Sequence, residues 1–332
     1  MAESSYLSPA WLPGGHLQTL YPYFFSPKPS LAYRRERWEL PDGDFLDADW
    51  LDGSPSAPLL VLFHGLEGNA QGHYALALMQ EVKKLGWGGV VVHFRGCSGT
   101  PNRLARAYFA GDSAEIDWVL NRLRTQHSGN LYAVGYSLGG NALLRWLGEQ
   151  GTDATTVLNA AAAVSAPLDL MTAGHTLDQG INRLLYVRHF LRSLKHKVRL
   201  KARHYPHLFN TQAIKQANTL WQFDHHYTAP LHGYRSANDY WTRAASLPVL
   251  QHIAVPTLLI NARNDPFLPG HALPETNQVS SSVTLDFPAQ GGHVGFVSGH
   301  FPGHVQWLPT RIMTFFAQSE NRIKPGNGGW TR

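Results

Sequence analysis

The sequence predicts an α/β domain with a mostly parallel central sheet, helices on both faces and a helical lid insertion. Short, continuous apolar runs alternate with helical patterns along most of the chain, which is typical of parallel strands buried on both faces. From 168 to 246 this alternation stops, and only helical patterns follow. With 332 residues, 43% hydrophobic and 15% charged, the chain has enough apolar material for a sizeable core.

The elements follow one another in a regular order. Residues 36–51 hold two strand patterns joined at Pro41-Asp42-Gly43, which is a hairpin signal. Further strands are predicted at 58–65, 88–96, 130–137, 160–167, 256–265 and 282–288, and helices at 73–86, 113–127, 138–151 and 305–318. Strand–helix–strand alternation of this kind gives a parallel sheet, because crossover helices pack back onto its faces.

We therefore expect five segments along the chain. They are an N-terminal arm packed on the domain (1–35), the first part of the α/β core (36–167), a helical lid or cap (168–246), the second part of the core (247–320) and a frayed tail (321–332). Prolines predict that the arm holds no long helix or strand; these are Pro9, Pro13, Pro22, Pro27 and Pro29.

The positive charge of the chain, formally +5, is concentrated in the lid. From Ile181 to Gln222 there is no acidic residue. Lysines and arginines in that span are Arg183, Arg188, Arg192, Lys195, Lys197, Arg199, Lys201, Arg203 and Lys215. We favour a solvated outer face of a lid helix, with contact to an anionic lipid surface as the alternative. No nucleic-acid motif accompanies the charge, so we expect no nucleic-acid partner.

The same stretch contains an apolar stripe at three- and four-residue steps, which predicts the buried face of that helix. Its members are Leu184, Val187, Leu191, Leu194 and Val198.

A serine lies between a predicted strand and a predicted helix in Gly135-Tyr136-Ser137-Leu138-Gly139. A sharp strand-to-helix turn forces its central residue into an unfavourable conformation and requires small neighbours, which accounts for Gly135 and Gly139. Such a turn raises the Ser137 hydroxyl above the carboxyl edge of the sheet. An ordinary glycine-rich turn is the alternative, but the position between a buried strand and a helix favours a nucleophile.

A serine hydroxyl needs a base, and the base needs a carboxylate to orient it. Asp265 follows one later strand, and His293 lies in a glycine-rich loop after the next. An Asp before Pro is also a common turn former, and His300 and His304 lie close to His293 in the sequence. The flanking glycines favour His293 as the base and Asp265 as its partner.

Two backbone N–H groups are predicted to stabilise an oxyanion. One belongs to Leu138, directly after the serine, and the other to Leu66 in the loop His64-Gly65-Leu66-Glu67-Gly68. We interpret His64 as a structural brace of that loop. Cys97, the one cysteine of the sequence, is interpreted as a structural thiol and allows no intramolecular disulfide.

Several longer motifs resemble the YheT-like esterase branch of the α/β-hydrolase fold superfamily. They include "GGHLQTLYP", "LFHGLEGN", "HFRGCSGTPNR", "AVGYSLGGNALL", "FDHHYTAPLHGY" and "GGHVGF". The resemblance covers nearly the whole chain and is weakest in the lid. It implies an α/β-hydrolase fold, acyl esters as substrates and a triad at Ser137, Asp265 and His293.

Together these observations predict a cytoplasmic serine esterase that cleaves short- to medium-chain or lipid-like carboxylic esters through an acyl-enzyme. No secretory signal or metal-ligand spacing is evident, and we expect neither a metal nor a cofactor. Two other functions stay open: acyl transfer to an alcohol through the same acyl-enzyme, and a binding scaffold whose basic lid contacts anionic lipid.

Overall fold

The computed structural model of the protein describes residues 6–323, which form one eight-stranded sheet. The strands are β1 (Arg34–Glu39), β2 (Phe45–Leu51), β3 (Leu59–Phe63), β4 (Gly88–His93), β5 (Leu131–Tyr136), β6 (Ala160–Val164), β7 (Thr257–Ile260) and β8 (Val283–Asp286). Their order in the sheet is β1-β2-β4-β3-β5-β6-β7-β8. The β1–β2 and β2–β4 pairs are antiparallel and the rest are parallel, which confirms the predicted fold class.

The helices are α1 (Gly15–Phe25), α2 (His73–Lys84), α3 (Ser113–Gln126), α4 (Leu138–Gln150), α5 (Ala154–Val157), α6 (Leu170–Leu177), α7 (Gly180–Asn182), α8 (Arg188–His204), α9 (Thr211–Gln216), α10 (Leu220–Phe223), α11 (Ala229–Leu231), α12 (Ala237–Ala244) and α13 (Trp307–Ile323). Two π-helical turns, Arg183–Val187 and Asp224–Thr228, join α7 to α8 and α10 to α11. The predicted tail lies outside the described residues from 324 onward.

The central strands are buried on both faces, and their side chains alternate between two cores. In β3, Val61 and Phe63 pack with α3 and α4, whereas Leu60 and Leu62 pack with α2 and α13. Successive side chains point to opposite faces, and both faces are buried. Each central strand therefore appears in the sequence as a continuous apolar run. With helices on both faces, a site is expected at the carboxyl ends of the parallel strands, where α/β sheets bind their ligands.

The prediction that the first 35 residues contain no long element is wrong. Helix α1 spans Gly15–Phe25 and includes Pro22, which lacks the N–H that an interior helical residue donates. Tertiary packing compensates for this loss. Gln18 of α1 is fully buried, and its side chain is hydrogen-bonded to Leu12 and to the loop at 290–291.

Residues 168–246, which we propose to treat as a lid, hold helices α6 to α12. Their apolar side chains form a third core separate from the two sheet faces. Of the apolar stripe on the basic segment, Val187, Leu191 and Val198 are buried, whereas Leu184 is 61% exposed. The exposure of Leu184 differs from the prediction, because the chain adopts a π-helical turn there rather than a regular helix.

No helix within residues 6–323 is both long enough and apolar enough to cross a membrane.

Candidate active site

Ser137 lies on a strained turn between β5 and α4. Its φ of 50° and ψ of −119° are unfavourable for a residue with a side chain. The turn fits only because its neighbours are glycines. A Cβ on Gly135 would lie 2.5 Å from the carbonyl oxygen of Gly139, and one on Gly139 would lie 2.5 Å from that of His64. The serine is partly exposed towards a cavity above the sheet edge.

His293 and Asp265 meet this serine although they are distant in the sequence. The His293 Nε2 atom lies 3.0 Å from Ser137 Oγ, and its Nδ1 atom lies 2.9 Å from Asp265 Oδ2. The Asp265 side chain is fully buried and accepts a second hydrogen bond from the Phe267 N–H at 2.8 Å. The Phe267 ring stacks on the imidazole at 3.9 Å between centroids, which restricts its rotation.

Two residues of α1 hold the histidine loop, and no catalytic motif of the sequence includes them. The Thr19 hydroxyl accepts the His293 backbone N–H at 2.8 Å and donates to the Gly15 carbonyl. The Gln18 amide oxygen accepts from Gly291 N–H and from the Asn264 side chain, both at 2.9 Å. Helix α1 thereby connects the loop of the acid to the loop of the base. The string "GGHLQTLYP" was the only signal for it.

The glycines of the histidine loop allow this close packing. A Cβ on Gly295 would lie 2.0 Å from the Gln18 carbonyl oxygen, and one on Gly292 would lie 2.8 Å from the Thr19 nitrogen. Any larger residue would push α1 away from the loop.

The loop after β3 approaches Ser137 from the other side. A Cβ placed on Gly65 would lie 3.1 Å from the Ser137 Cβ, so the loop backbone runs directly beside the serine. Among residues 6–323, no protein acceptor receives a hydrogen bond from the Leu66 or Leu138 N–H. These two amides are the predicted oxyanion donors. Leu138 also begins α4, whose N-terminus favours negative charge.

His64 braces this loop. The Nδ1 of its fully buried ring lies 2.7 Å from the Gly65 carbonyl oxygen, and its Nε2 accepts the Phe94 N–H. Burial lowers the pKa of His64 to about 3, so the ring stays neutral at physiological pH. A neutral ring with its proton on Nδ1 satisfies both contacts.

Glu67 ties the same loop to the lid. Its backbone has a φ of 55°, and its carboxylate accepts hydrogen bonds from Tyr108, from Ser193 and, at 2.7 Å, from Lys197 Nζ. Ser193 and Lys197 are one turn apart on α8. Lys197 Nζ also lies 3.1 Å from Cys97 Sγ. Burial outweighs this contact and raises the pKa of the Cys97 thiol to about 11, which fits a structural role.

A cavity of about 970 Å³ lies between the sheet edge and the lid, and Ser137 and His293 open into it. Most of its surface is apolar. Side chains come from α1 and from the lid, including Leu20, Leu170, Phe190, Phe223 and Trp241. This volume is at the upper end of the range of roughly 300–1,000 Å³ for small-molecule sites.

A serine on a strained strand-to-helix turn, followed in chain order by an aspartate and a histidine after later strands, defines an α/β hydrolase. A family model described as alpha/beta hydrolase fold matches residues 58–299. The Escherichia coli (strain K12) protein named "Putative esterase YheT" is 39% identical over 90% of this chain and 88% of its own length. Phospholipase ABHD3 of Mus musculus is 30% identical over 96% of this chain and 79% of its own.

The Pyrococcus furiosus esterase Pf2001 has the same fold, with a TM-score of 0.56 and 15% identity over 86% of this chain and 92% of its own. The chain therefore belongs to the α/β-hydrolase fold family, in its YheT-like branch, as the sequence motifs predicted.

Proposed function

We propose that the protein is a serine hydrolase that cleaves carboxylic esters with apolar acyl groups through an acyl-enzyme. The observation that carries this proposal is the continuous chain of contacts from Ser137 Oγ through both nitrogens of His293 to Asp265. Relatives that are named as an esterase and a phospholipase support it.

In the first half of the reaction, Ser137 Oγ attacks the ester carbonyl carbon while His293 Nε2 takes its proton. Asp265 accepts a hydrogen bond from the Nδ1–H of His293, keeps the ring in the required tautomer and stabilises the imidazolium that forms. The carbonyl oxygen becomes an oxyanion, which the Leu66 and Leu138 N–H groups bind. His293 then returns the proton to the alcohol oxygen, and the alcohol leaves.

In the second half, a water attacks the acyl-enzyme with His293 again as the base, and the carboxylic acid is released. The two amides act in the same way on the second oxyanion. Such donors contribute about 3–4 kcal/mol each when they are oriented before the reaction. The positions of Gly65 and Gly139 provide that orientation here.

The lining of the cavity indicates the substrate class. Apolar side chains from α1 and the lid surround the space next to Ser137, and they favour an acyl chain over a polar acyl group. The volume accommodates chains well beyond acetyl.

The proposal is tested with p-nitrophenyl esters of graded chain length and with a fluorophosphonate probe. We expect Ser137→Ala to lose both labelling and turnover. His293→Gln should lose turnover by a factor of at least about 10³, since the serine then lacks its base. His304→Gln is the matched control, because His304 is exposed and its ring lies beside Ser298, away from Ser137. Unchanged hydrolysis by Ser137→Ala would contradict the proposal.

A further inference from the structure

The exposed side of α8 has an ordered pattern of charge. Exposed residues recur at three- and four-residue steps along the helix, and all of them are basic or histidine. These residues, the α8 basic stripe, are Arg188, Arg192, His196, Arg199 and Arg203. The predicted solvated face is therefore a single continuous stripe, since residues at such steps share one side of a helix.

The arginines of this stripe have no acidic partner among the described residues. None of the four forms an ion pair with a described carboxylate, and the sequence has no acid from Ile181 to Gln222. Arginines elsewhere behave differently: Arg34, Arg35 and Arg37, for example, each pair with an aspartate. The α8 basic stripe thus presents uncompensated positive charge to solvent.

Exposed apolar side chains lie directly beside the start of this stripe. They belong to the end of α1 and to the segment that leads into α8, and we call them the mouth patch: Tyr23, Phe24, Phe25, Ile181, Leu184 and Leu185. Phe24, Phe25 and Leu184 are 64%, 69% and 61% exposed. The Tyr23 ring lies 6.4 Å from the ring of His189 on α8, which brings the two segments together.

The mouth patch also borders the cavity that contains Ser137. Tyr23, Phe24 and Leu185 line this cavity while remaining exposed to solvent. Clustered aromatic and aliphatic side chains on a protein surface mark an interaction site. Their place at the cavity entrance means that whatever covers the patch also faces the entrance.

We propose that the mouth patch and the α8 basic stripe together dock the protein on an anionic lipid surface. The apolar side chains enter the interface between headgroups and acyl chains, and the arginines pair with anionic headgroups. Peripheral proteins use these same two contributions, apolar burial and electrostatic attraction. A nucleic-acid duplex would use the charge but would leave the adjoining aliphatic side chains Ile181, Leu184 and Leu185 unburied, so the combination favours lipid. Docking in this orientation points the cavity entrance at the lipid.

The test is co-sedimentation with vesicles of phosphatidylcholine alone and with an equimolar mixture of phosphatidylcholine and phosphatidylglycerol. The Ser137→Ala protein is used throughout, so that binding is measured without hydrolysis and independently of the proposed catalytic function. We expect binding to the mixed vesicles to exceed binding to the neutral ones and to decrease with added salt.

Two variants separate the two contributions. Arg188→Gln with Arg192→Gln should weaken binding to the mixed vesicles about 25-fold, at about fivefold for each basic side chain. Lys83→Gln with Lys84→Gln is the matched control: it removes the same charge from the end of α2, at the opposite edge of the sheet, and should change binding little. Phe25→Ser with Leu184→Ser, neither of which lines the cavity, should weaken binding to both kinds of vesicle.

The proposal would be overturned if the double arginine variant and the double lysine variant lost equal affinity for the mixed vesicles. It would also be overturned if the Ser137→Ala protein failed to bind mixed vesicles at low salt. Binding to a double-stranded oligonucleotide that depends on Arg188 and Arg192 but not on Phe25 and Leu184 would assign the stripe to nucleic acid instead. The variant with Arg188→Gln and Arg192→Gln, made in the protein that keeps Ser137, should hydrolyse a water-soluble short-chain ester as fast as the protein without these substitutions. This control shows that the variant is folded.

Discussion

The hydroxyl of Thr19 accepts the backbone N–H of His293 at 2.8 Å, although the two residues are 274 positions apart in the chain. The imidazole that lies beside Ser137 is therefore held by two elements. Asp265 fixes its ring from one side, and the first helix of the protein fixes its backbone from the other. We infer that Thr19 is a positioning residue for the base.

Thr19→Val should lower kcat for ester hydrolysis about tenfold with a smaller change in KM. Valine keeps the shape of threonine but leaves the His293 N–H without its acceptor, at a cost of about 1–3 kcal/mol. Steady-state kinetics and the rate of fluorophosphonate labelling measure the effect. Thr19→Ser keeps the hydroxyl and should restore both values. If valine and serine behave alike, the hydroxyl has no role in positioning.

Asp265→Asn should lower kcat by a factor of about 10⁴ while the protein remains folded. The amide presents a donor to the Nδ1–H of His293, which favours the tautomer with the proton on Nε2 and removes the base from Ser137. Pre-steady-state acylation, measured with a chromogenic ester, reports this step. Glu275→Gln changes an exposed carboxylate on the same long loop and should leave acylation unchanged. Acylation of Asp265→Asn at the parent rate would remove Asp265 from the proposed mechanism.

Lys197→Met should destabilise the protein by about 3 kcal/mol, because the Glu67 carboxylate is then buried without a cation. This is the low end for a buried ion pair, since the Lys197 side chain is 26% exposed. The substitution should also slow acylation, since Glu67 directly follows Leu66. Chemical denaturation and acylation rates measure the two effects.

Lys215→Met, an exposed lysine of the same lid, is the control for Lys197→Met. The double variant with Glu67→Gln and Lys197→Met should lose less unfolding free energy than the sum of the losses in the two single variants. Residues in one hydrogen-bond network are coupled. Strict additivity would show that the pair does not act as a unit.

His64 should make the protein sensitive to acid. Burial lowers the pKa of His64 to about 3, whereas the unfolded chain takes up this proton near its usual pKa of about 6.5. The unfolded state thus binds the extra proton between these two values, and stability is lost as the pH falls through that window. At about pH 5 the loss from this residue is about 2 kcal/mol relative to neutral pH.

His64→Asn should remove that part of the pH dependence, which is read from the change in unfolding free energy between about pH 7.5 and about pH 5. The same slope in the parent and the variant would assign the acid sensitivity to other groups.

Local sequence patterns were sufficient to predict the strands of the sheet and the turn at Ser137. Continuous apolar runs identify β3 to β7, and only small neighbours tolerate the conformation of Ser137, so the glycines beside it were a direct physical signal. The order of Asp265 and His293 along the chain followed from the topology of parallel strands.

Contacts between distant segments were not predictable in the same way. Helix α1 contains Pro22 and is stabilised in part by bonds from Gln18 to Asn264 and from Thr19 to His293, each of which spans more than 240 positions. The pair of Glu67 and Lys197 spans 130 positions, and a sequence pattern shows only that both are charged. Leu184 matched the spacing of a buried face, but the π-helical turn changes the register before α8 begins.

Helix α8 uses separate sides for separate tasks. One side packs into the lid through Leu191 and Val198, and a second holds Glu67 through Ser193 and Lys197. A third carries the arginines that have no acidic partner between residues 6 and 323. The side that we propose to dock on lipid and the contact with Glu67, the residue after Leu66, therefore belong to one helix, so a shift of this helix on docking would act next to a predicted oxyanion donor.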